Sequence, residues 1–414
     1  MTLKVDIKRI EKDLYELAKF GFNPEDKGIY RQGLTEIDMA ARQWLIQQME
    51  CAGASVHMDG VGNVRARYGK SEQPAIIIAS HLDSVPAGGM FDGTLGVIAG
   101  LEVIRQLNEN KIQLDCPIEV IATSEEEGRF GGMLGAQALS GQITKDWIES
   151  AKDASGQTLV SAMQNCGLNP LDAFHARIDP KTIKAFLELH IEQGPVLEAK
   201  QKQIGVVNGI SGVFKWLVRL IGKADHAGTA PMNMRSDAFM GVADFAHEIS
   251  RIIDEEGSES SRLTIGKVEL KPGYAHTIPG EADFTLVGRD LDANVMEQIA
   301  LSCRKVLSAI ARKHNLMFEY EQMSWLEPKK FSSQIVSQIE SIAQSQNIDY
   351  LVMPSGAGHD CQFFADIVPT GLIFIPSVGG VSHAPDEWSH WNDVQRGCDL
   401  LLATVLKLAE YSEL

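Results

Sequence analysis

The sequence predicts an α/β protein of two domains: a mostly parallel sheet with helices on both faces, and an inserted ferredoxin-like α+β unit. Three observations lead there. In the first half, apolar runs such as residues 74–79 alternate with helix-spaced segments, the pattern of a sheet buried on both faces. After Gly205 the texture changes to strands and helices in the order β-α-β-β-α-β, that of a split unit. The chain then returns to its first pattern, and at 414 residues it is too long for one ordinary core.

The elements follow in order. Residues 1–20 have a charged, amphipathic helical pattern. Residues 63–68 and 75–79 read as strands, 94–109 as a helix, and 118–123 and 185–190 as further strands. In the insertion, strands are expected at 214–221, 263–269, 282–289 and 317–322, with helices at 236–254 and 295–314. A helix at 333–346, a strand at 372–375 and a closing helix at 394–411 complete the first domain. The division is therefore 1–208 with 325–414 for the sheet domain and 209–324 for the insertion.

Composition narrows the function class. The apolar share is 44% and the charged share 22%, as in globular proteins. A formal net charge of −17 argues against nucleic acid or an anionic membrane as partner. The N-terminus lacks the apolar core of a signal peptide, and no run of 18 apolar residues occurs. The six cysteines are far apart with no CxxC, which suits reduced thiols and a cytoplasmic location.

Chemistry-bearing residues gather at strand ends, where open α/β sheets bind ligands. The stretch SHLDSVPAGGMFDG, residues 80–93, carries His81, Asp83 and Asp92 among three glycines. Of His81 and Asp83, one can bind metal while the other bonds the imidazole's second nitrogen. The run Glu125-Glu126-Glu127 follows another strand. Such a triplet repels itself unless a cation sits within it, and one member can be a ligand while its neighbour is a general base. His190 ends a third strand, with Gln193 close behind, and His383 lies in GGVSHAP beyond a fourth. His81, Asp92, Glu127, His190 and His383 are too many ligands for one open tetrahedral zinc. They suit two metals about 3.5–4 Å apart that share a carboxylate, and a hydroxide held between such ions attacks unreactive carbonyls at neutral pH. His226, in DHAGTAPM, and Arg289 lie in the insertion, and Arg suits a planar carboxylate. SGAGHD, with Gly358 and His359, returns to the first domain and has backbone groups to offer a ligand.

SHLDSVPAGGMFDG, EEEG, LELHIEQG, DHAGTAPM, IPG before Arg289, SGAGHD and GGVSHAP occur in this order over about residues 10 to 410. Together they resemble the M20-type metallohydrolases, and within them the amidase/hydantoinase/carbamoylase branch. The resemblance implies a dinuclear-metal catalytic domain and an inserted dimerisation domain. It assigns His81, Asp92 and His190 to one metal and Asp92, Glu127 and His383 to the other, with Asp92 bridging. Asp83 orients His81, and Glu126 is the general base. His226 comes from the partner subunit and stabilises the tetrahedral oxyanion. Gln193, Arg289 and His359 bind the substrate's carboxylate and ureido ends, with Gly358 and His276 in the substrate site. The ions are two divalent metals, zinc first, with manganese, cobalt or nickel as alternatives.

Two departures stand out. His276 occupies a position where family members usually have Asn. The EEEG run is followed directly by Arg129-Phe130, where relatives often have one more residue; Glu127 is taken as the ligand because it directly precedes Gly128. The implied activity is hydrolysis of the ureido C–N bond of a small N-carbamoyl acid, releasing amine, carbon dioxide and ammonia, in a homodimer. The rivals are a peptidase or N-acyl amino acid hydrolase on the same metals, and a non-catalytic metal-binding assembly protein.

Overall fold

The structure, a computed structural model, describes residues 3–410, so the ends of the first and last sequence-predicted helices, including Tyr411, lie outside the described residues. The chain divides into two compact units, residues 1–208 with 331–414, and residues 209–330.

The first unit is built on a mixed sheet. Its strands run in the order Ser55–Met58, Val64–Tyr68, Ile118–Thr123, Ala75–His81, Ile183–Ile191, Thr370–Ile375 and Ile204–Ile210, and Tyr350–Ser355 also pairs with Ile204–Ile210. The three central pairings are parallel. Antiparallel strands flank them. Every residue of Ala75–His81, Ile118–Thr123 and Thr370–Ile375 is buried, which is why these strands are mostly apolar along their length, Glu119 apart. Helices Thr94–Glu109 and Trp391–Ala409 pack against the central strands, and helix Ile7–Ala18 packs against both helices. Because the central strands are parallel, their carboxyl ends emerge at one edge of the sheet; His81 ends one strand there, and the loops that carry Glu127 and His383 start there.

The second unit has a four-stranded antiparallel sheet in the order Met317–Leu326, Gly212–Ile221, Glu281–Asp290 and Arg262–Lys271. Helices Ala238–Glu256 and Ala293–Lys313 pack on it. Strand Glu281–Asp290 alternates strictly between half-buried and buried residues, as expected when one face meets the core. The unit ends at Lys330 rather than at 324. Strand Met317–Leu326 runs further than its apolar pattern suggests, and Lys329 and Lys330 pair with Ile210 and Gly209.

Several elements carry little sequence signal. Helix Glu36–Cys51 buries Asp38 and Arg42, which hides its apolar face. Strand Ile204–Ile210 contains two glycines and Tyr350–Ser355 contains Pro354, both poor strand markers. All six cysteines are free. Among the described residues no helix is long and apolar enough to cross a membrane.

Candidate metal centre

His81 is the last residue of strand Ala75–His81, and the loop after it returns with Asp92 before helix Thr94–Glu109. Gly93 makes this return possible. It has φ +66, and a Cβ there would lie 2.4 Å from the His81 ring. Glu126 and Glu127 follow strand Ile118–Thr123, His190 is in Ile183–Ile191, and His383 is in the loop after Thr370–Ile375.

These residues converge around Asp92. Its Oδ1 lies 3.3 Å from His81 Nε2 and 3.1 Å from His190 Nε2. Its Oδ2 lies 3.3 Å from His383 Nε2, which is 3.4 Å from Glu127 Oε2. Asp92 thus faces His81 and His190 with one oxygen and His383 and Glu127 with the other. Two three-residue groups with metal-ligand spacing result, His81–Asp92–His190 and Asp92–Glu127–His383, and Glu126 joins His81 and Glu127 in a third. A fourth group, Glu188–His190–His359, lies behind His190.

The ties that hold this arrangement cross between loops. The Asp83 carboxylate does not bond the His81 ring. It accepts the main-chain N–H groups of Glu126 and Glu127, both at 3.2 Å. His81 Nδ1 is instead 2.9 Å from the Asp83 carbonyl oxygen. Asp83 therefore orients His81 through its main chain and the glutamate loop through its side chain. His190 Nδ1 likewise meets a carbonyl, that of Ile191, at 2.9 Å. Glu125 folds back to accept the Phe130 N–H, so Glu126 and Glu127 are the members of the triplet at the cluster.

Gln193, expected at the substrate, donates from Nε2 to Asp92 Oδ2 at 2.8 Å, and that nitrogen is 3.3 Å from His383 Nε2. His359 is set back from the cavity. It is buried, its Nε2 lies 3.1 Å from Ser355 Oγ, and its ring packs edge-on to His190 at 4.5 Å. Burial, with His190 beside it, holds its pKa well below the ordinary imidazole value. The neighbouring Ala357 and Gly358, not His359, join His81, Glu126, Glu127 and His383 in lining a cavity of about 290 Å³. His226, His276 and Arg289 belong to the second unit and are described within it alone. His226 pairs with Thr277, and Ala227 N–H bonds the His276 carbonyl at 2.9 Å. Both histidines are exposed. Arg289 is half-buried near the far end of strand Glu281–Asp290, so the unit does not bring it to His226.

Two residues at the centre escape the sequence reading. Glu387 Oε1 accepts the Phe91 and Asp92 N–H groups at 3.0 and 3.1 Å. Ser382 Oγ lies 2.9 Å from Asp92 Oδ2 and 3.0 Å from Glu387 Oε2. The usable signal is position: both flank His383 in SHAPDEW.

The electrostatics call for a cation. Burial pushes Glu126 well above the carboxylate range, with Glu127, Asp360 and Asp83 adding to it against His81. Burial also takes Glu127 to about 7. Burial would raise Asp92 too, but His190, His383 and His81 hold it well below its ordinary value. Its bond to Asp92 carries His383 up to about 9. Asp92 Oδ1 and Glu127 Oε1 are buried without a hydrogen-bond partner. Such orphans are costly, and a divalent ion bound by imidazole and carboxylate removes the cost. The residues present fit divalent metal.

Fold and centre define a metallohydrolase, and the chain belongs to peptidase family M20/M25/M40, which it matches over residues 77–407. More particularly, it is 36% identical over 413 residues to the N-carbamoyl-L-amino-acid amidohydrolase of Paenarthrobacter aurescens, covering 99% of this chain and 100% of that one. It is 34% identical over 408 residues to the allantoate amidohydrolase of Escherichia coli K12, covering 97% of each. A solved amidase of the hydantoinase/carbamoylase family from Burkholderia multivorans has the same fold, with a TM-score of 0.92 at 34% identity over 99% of both chains.

Proposed function

We propose that this protein is an amidohydrolase that cleaves the ureido C–N bond of a small N-carbamoyl acid, of the N-carbamoyl-L-amino acid, allantoate or ureidoglycolate type. The observation that carries the reading is Asp92, which presents each carboxylate oxygen to a different set of ligands. Two divalent ions are inferred, zinc first, one with His81, Asp92 and His190 and one with Asp92, Glu127 and His383. Bound there, they would supply Lewis acidity and an activated water at neutral pH.

The chain's own residues do the rest. Glu126 borders the cavity, and its Oε2 is 3.8 Å from His81 Nε2. As general base it takes a proton from the attacking water and returns it to the leaving nitrogen. The C–N bond breaks, the amine leaves, and carbamic acid decomposes to carbon dioxide and ammonia. Gln193 donates toward the cluster and keeps Oε1 buried without a partner, ready for an N–H of the ureido group. Arg289 suits the substrate carboxylate as a bidentate partner, and His226 suits the oxyanion.

Arg289 and His226 also argue for a homodimer. From Glu281 to Arg289 the strand extends about 26 Å, and His226 lies beyond the Glu281 end. A ureido acid is far shorter than that. If both residues touch one substrate, they come from different copies of the chain.

The test is ammonia release from allantoate, ureidoglycolate, N-carbamoyl-β-alanine and several N-carbamoyl-L-amino acids, with each candidate metal added back. Release from at least one is expected. Turnover of dipeptides or acetyl amino acids in its place would move the assignment to a peptidase or N-acyl hydrolase. For the shared site, mixed His226→Ala and Glu126→Gln subunits should regain activity that neither has alone. Mixtures that stay inactive would exclude it.

A further inference from the structure

Among the described residues, Arg31 and Arg42 are the two buried arginines, 1% and 0% exposed. Both precede residue 77, where the family match begins. Neither touches the cluster, yet each guanidinium bonds main-chain carbonyls at the end of a strand that leads into ligands.

Arg31 Nε donates to the Leu82 carbonyl at 2.8 Å, between His81 and Asp83. Its Nη1 donates to the Leu17 and Phe20 carbonyls at 2.8 and 3.0 Å. Its main chain joins the same stretch. The Arg31 N–H bonds Ser84 Oγ at 3.1 Å, and its carbonyl accepts the Ser84 N–H at 2.9 Å. Arg42 acts on the adjacent strand. Its Nη1 donates to the Gly62 and Ala122 carbonyls, each at 3.1 Å, and Nη2 to the Thr123 carbonyl at 2.8 Å. Asp38 pairs with its Nε at 2.9 Å. Thr123 is the last residue before the loop of Glu126 and Glu127.

We propose that Arg31 and Arg42 are positioning residues that fix the spacing of His81 from Glu126 and Glu127 and so set the affinity for metal. The proposal rests on the metal reading above. The two guanidiniums hold the two strand ends, and the Asp83 carboxylate links those ends through the Glu126 and Glu127 N–H groups. Together they form a frame of three ties beneath the ligands. A planar fork reaches carbonyls of separate segments from donors held apart on one rigid plane. Lysine keeps the charge but offers its donors from one point. A guanidinium buried this deeply is costly unless it is compensated; here carbonyls accept from Nε and Nη1 of Arg31 and from Nη1 and Nη2 of Arg42, and the Asp38 carboxylate is ion-paired with Arg42.

The test uses metal-stripped full-length protein. Wild type, Arg31→Lys, Arg42→Lys and Ile10→Ala are checked for folding, then titrated with Zn²⁺ and Mn²⁺ against a chromophoric chelator, and their unfolding midpoints are measured. Both lysine variants should bind metal about 10–100-fold more weakly, the loss typical when a ligand's support is removed. Ile10→Ala removes buried apolar volume from helix Ile7–Ala18. It should lose stability and keep wild-type affinity. Lysine variants with wild-type affinity overturn the proposal, even if their stability falls. If neither lysine variant folds, Asp83→Asn, which weakens the third tie, takes their place, and unchanged affinity there overturns the proposal equally. Wild type that binds neither ion overturns the metal reading itself, a different outcome from equal binding by all variants.

Discussion

Carboxylates in the two units are held in opposite ways. In the first unit, burial pushes Glu125 up to about 8 and Glu127 and Asp360 up to about 7, and each has another acid nearby that adds to the shift. In the second, Arg219 Nε sits 2.6 Å from Asp283 Oδ1 and Lys271 Nζ 2.9 Å from Oδ2, and these bonds take Asp283 down to about 2. The side-chain chemistry is the same, and the counter-charge differs. The second unit supplies its own cations. The first gathers anions and leaves Glu127 Oε1, and Asp92 Oδ1 apart from the imidazoles that face it, without hydrogen-bond partners. A positive ion from outside resolves that imbalance, so the contrast identifies which unit is built around something it does not itself contain.

Asp92→Ala should break this contrast most severely. It removes the residue shared by the His81–Asp92–His190 and Asp92–Glu127–His383 groups. We expect bound metal, measured by elemental analysis, to fall to background and turnover to vanish with it. Full metal content in this variant would put the ions elsewhere. Glu126→Gln is next in size. It should retain its metal and lose about 10²- to 10⁴-fold in turnover, the range for a general base. Near-normal ammonia release would remove Glu126 from that role.

The third prediction concerns pH. Glu125, Glu127 and Asp360 are raised above their unfolded values, so the folded apoprotein binds more protons than the unfolded chain between about pH 4 and 8. Stability of metal-free protein should therefore fall as pH rises through that window. Metal binds the deprotonated ligands, so its affinity rises with pH, and the loaded protein should lose much less over the same range. Denaturant midpoints with and without metal at pH 5 and 8 read this directly. An apoprotein more stable at pH 8 would contradict it.

Much of this was legible in the sequence, for particular reasons. Buried parallel strands appear as mostly apolar runs, so Ala75–His81 and Ile118–Thr123 were readable, and with them the strand end at His81 and the loop that carries Glu127. The order of strands and helices in the insertion was equally plain. What sequence hides is which atom of a residue does the work. Asp83 supports His81 with a carbonyl that any residue has, and uses its carboxylate on another loop. His359 follows a glycine-rich stretch that suggests an open site, yet it is packed against His190. Arg31 and Arg42 sit in a region whose charged residues suggest surface, because only tertiary contacts reveal a guanidinium filled by carbonyls.

The smallest expected effect tests the other side of the comparison. Asp283→Asn keeps the shape of the side chain and removes its charge. Asp283 is lowered in the folded state, so its contribution to stability is present above its unfolded value, about 3.9, and disappears as pH falls toward 2. Arg219 and Lys271 would still face Glu281, at 3.2 Å in the case of Arg219, so part of the counter-charge remains. Partly exposed pairs of this kind contribute little. The variant should melt lower by at most about 4 °C at pH 7, and the difference from wild type should close as pH falls from 4 to 2. A difference that persists at pH 2 would trace it to packing rather than charge. The first unit should respond in the opposite direction: Glu125→Gln, which abolishes a carboxyl raised by burial, should flatten the fall in apoprotein stability toward pH 8.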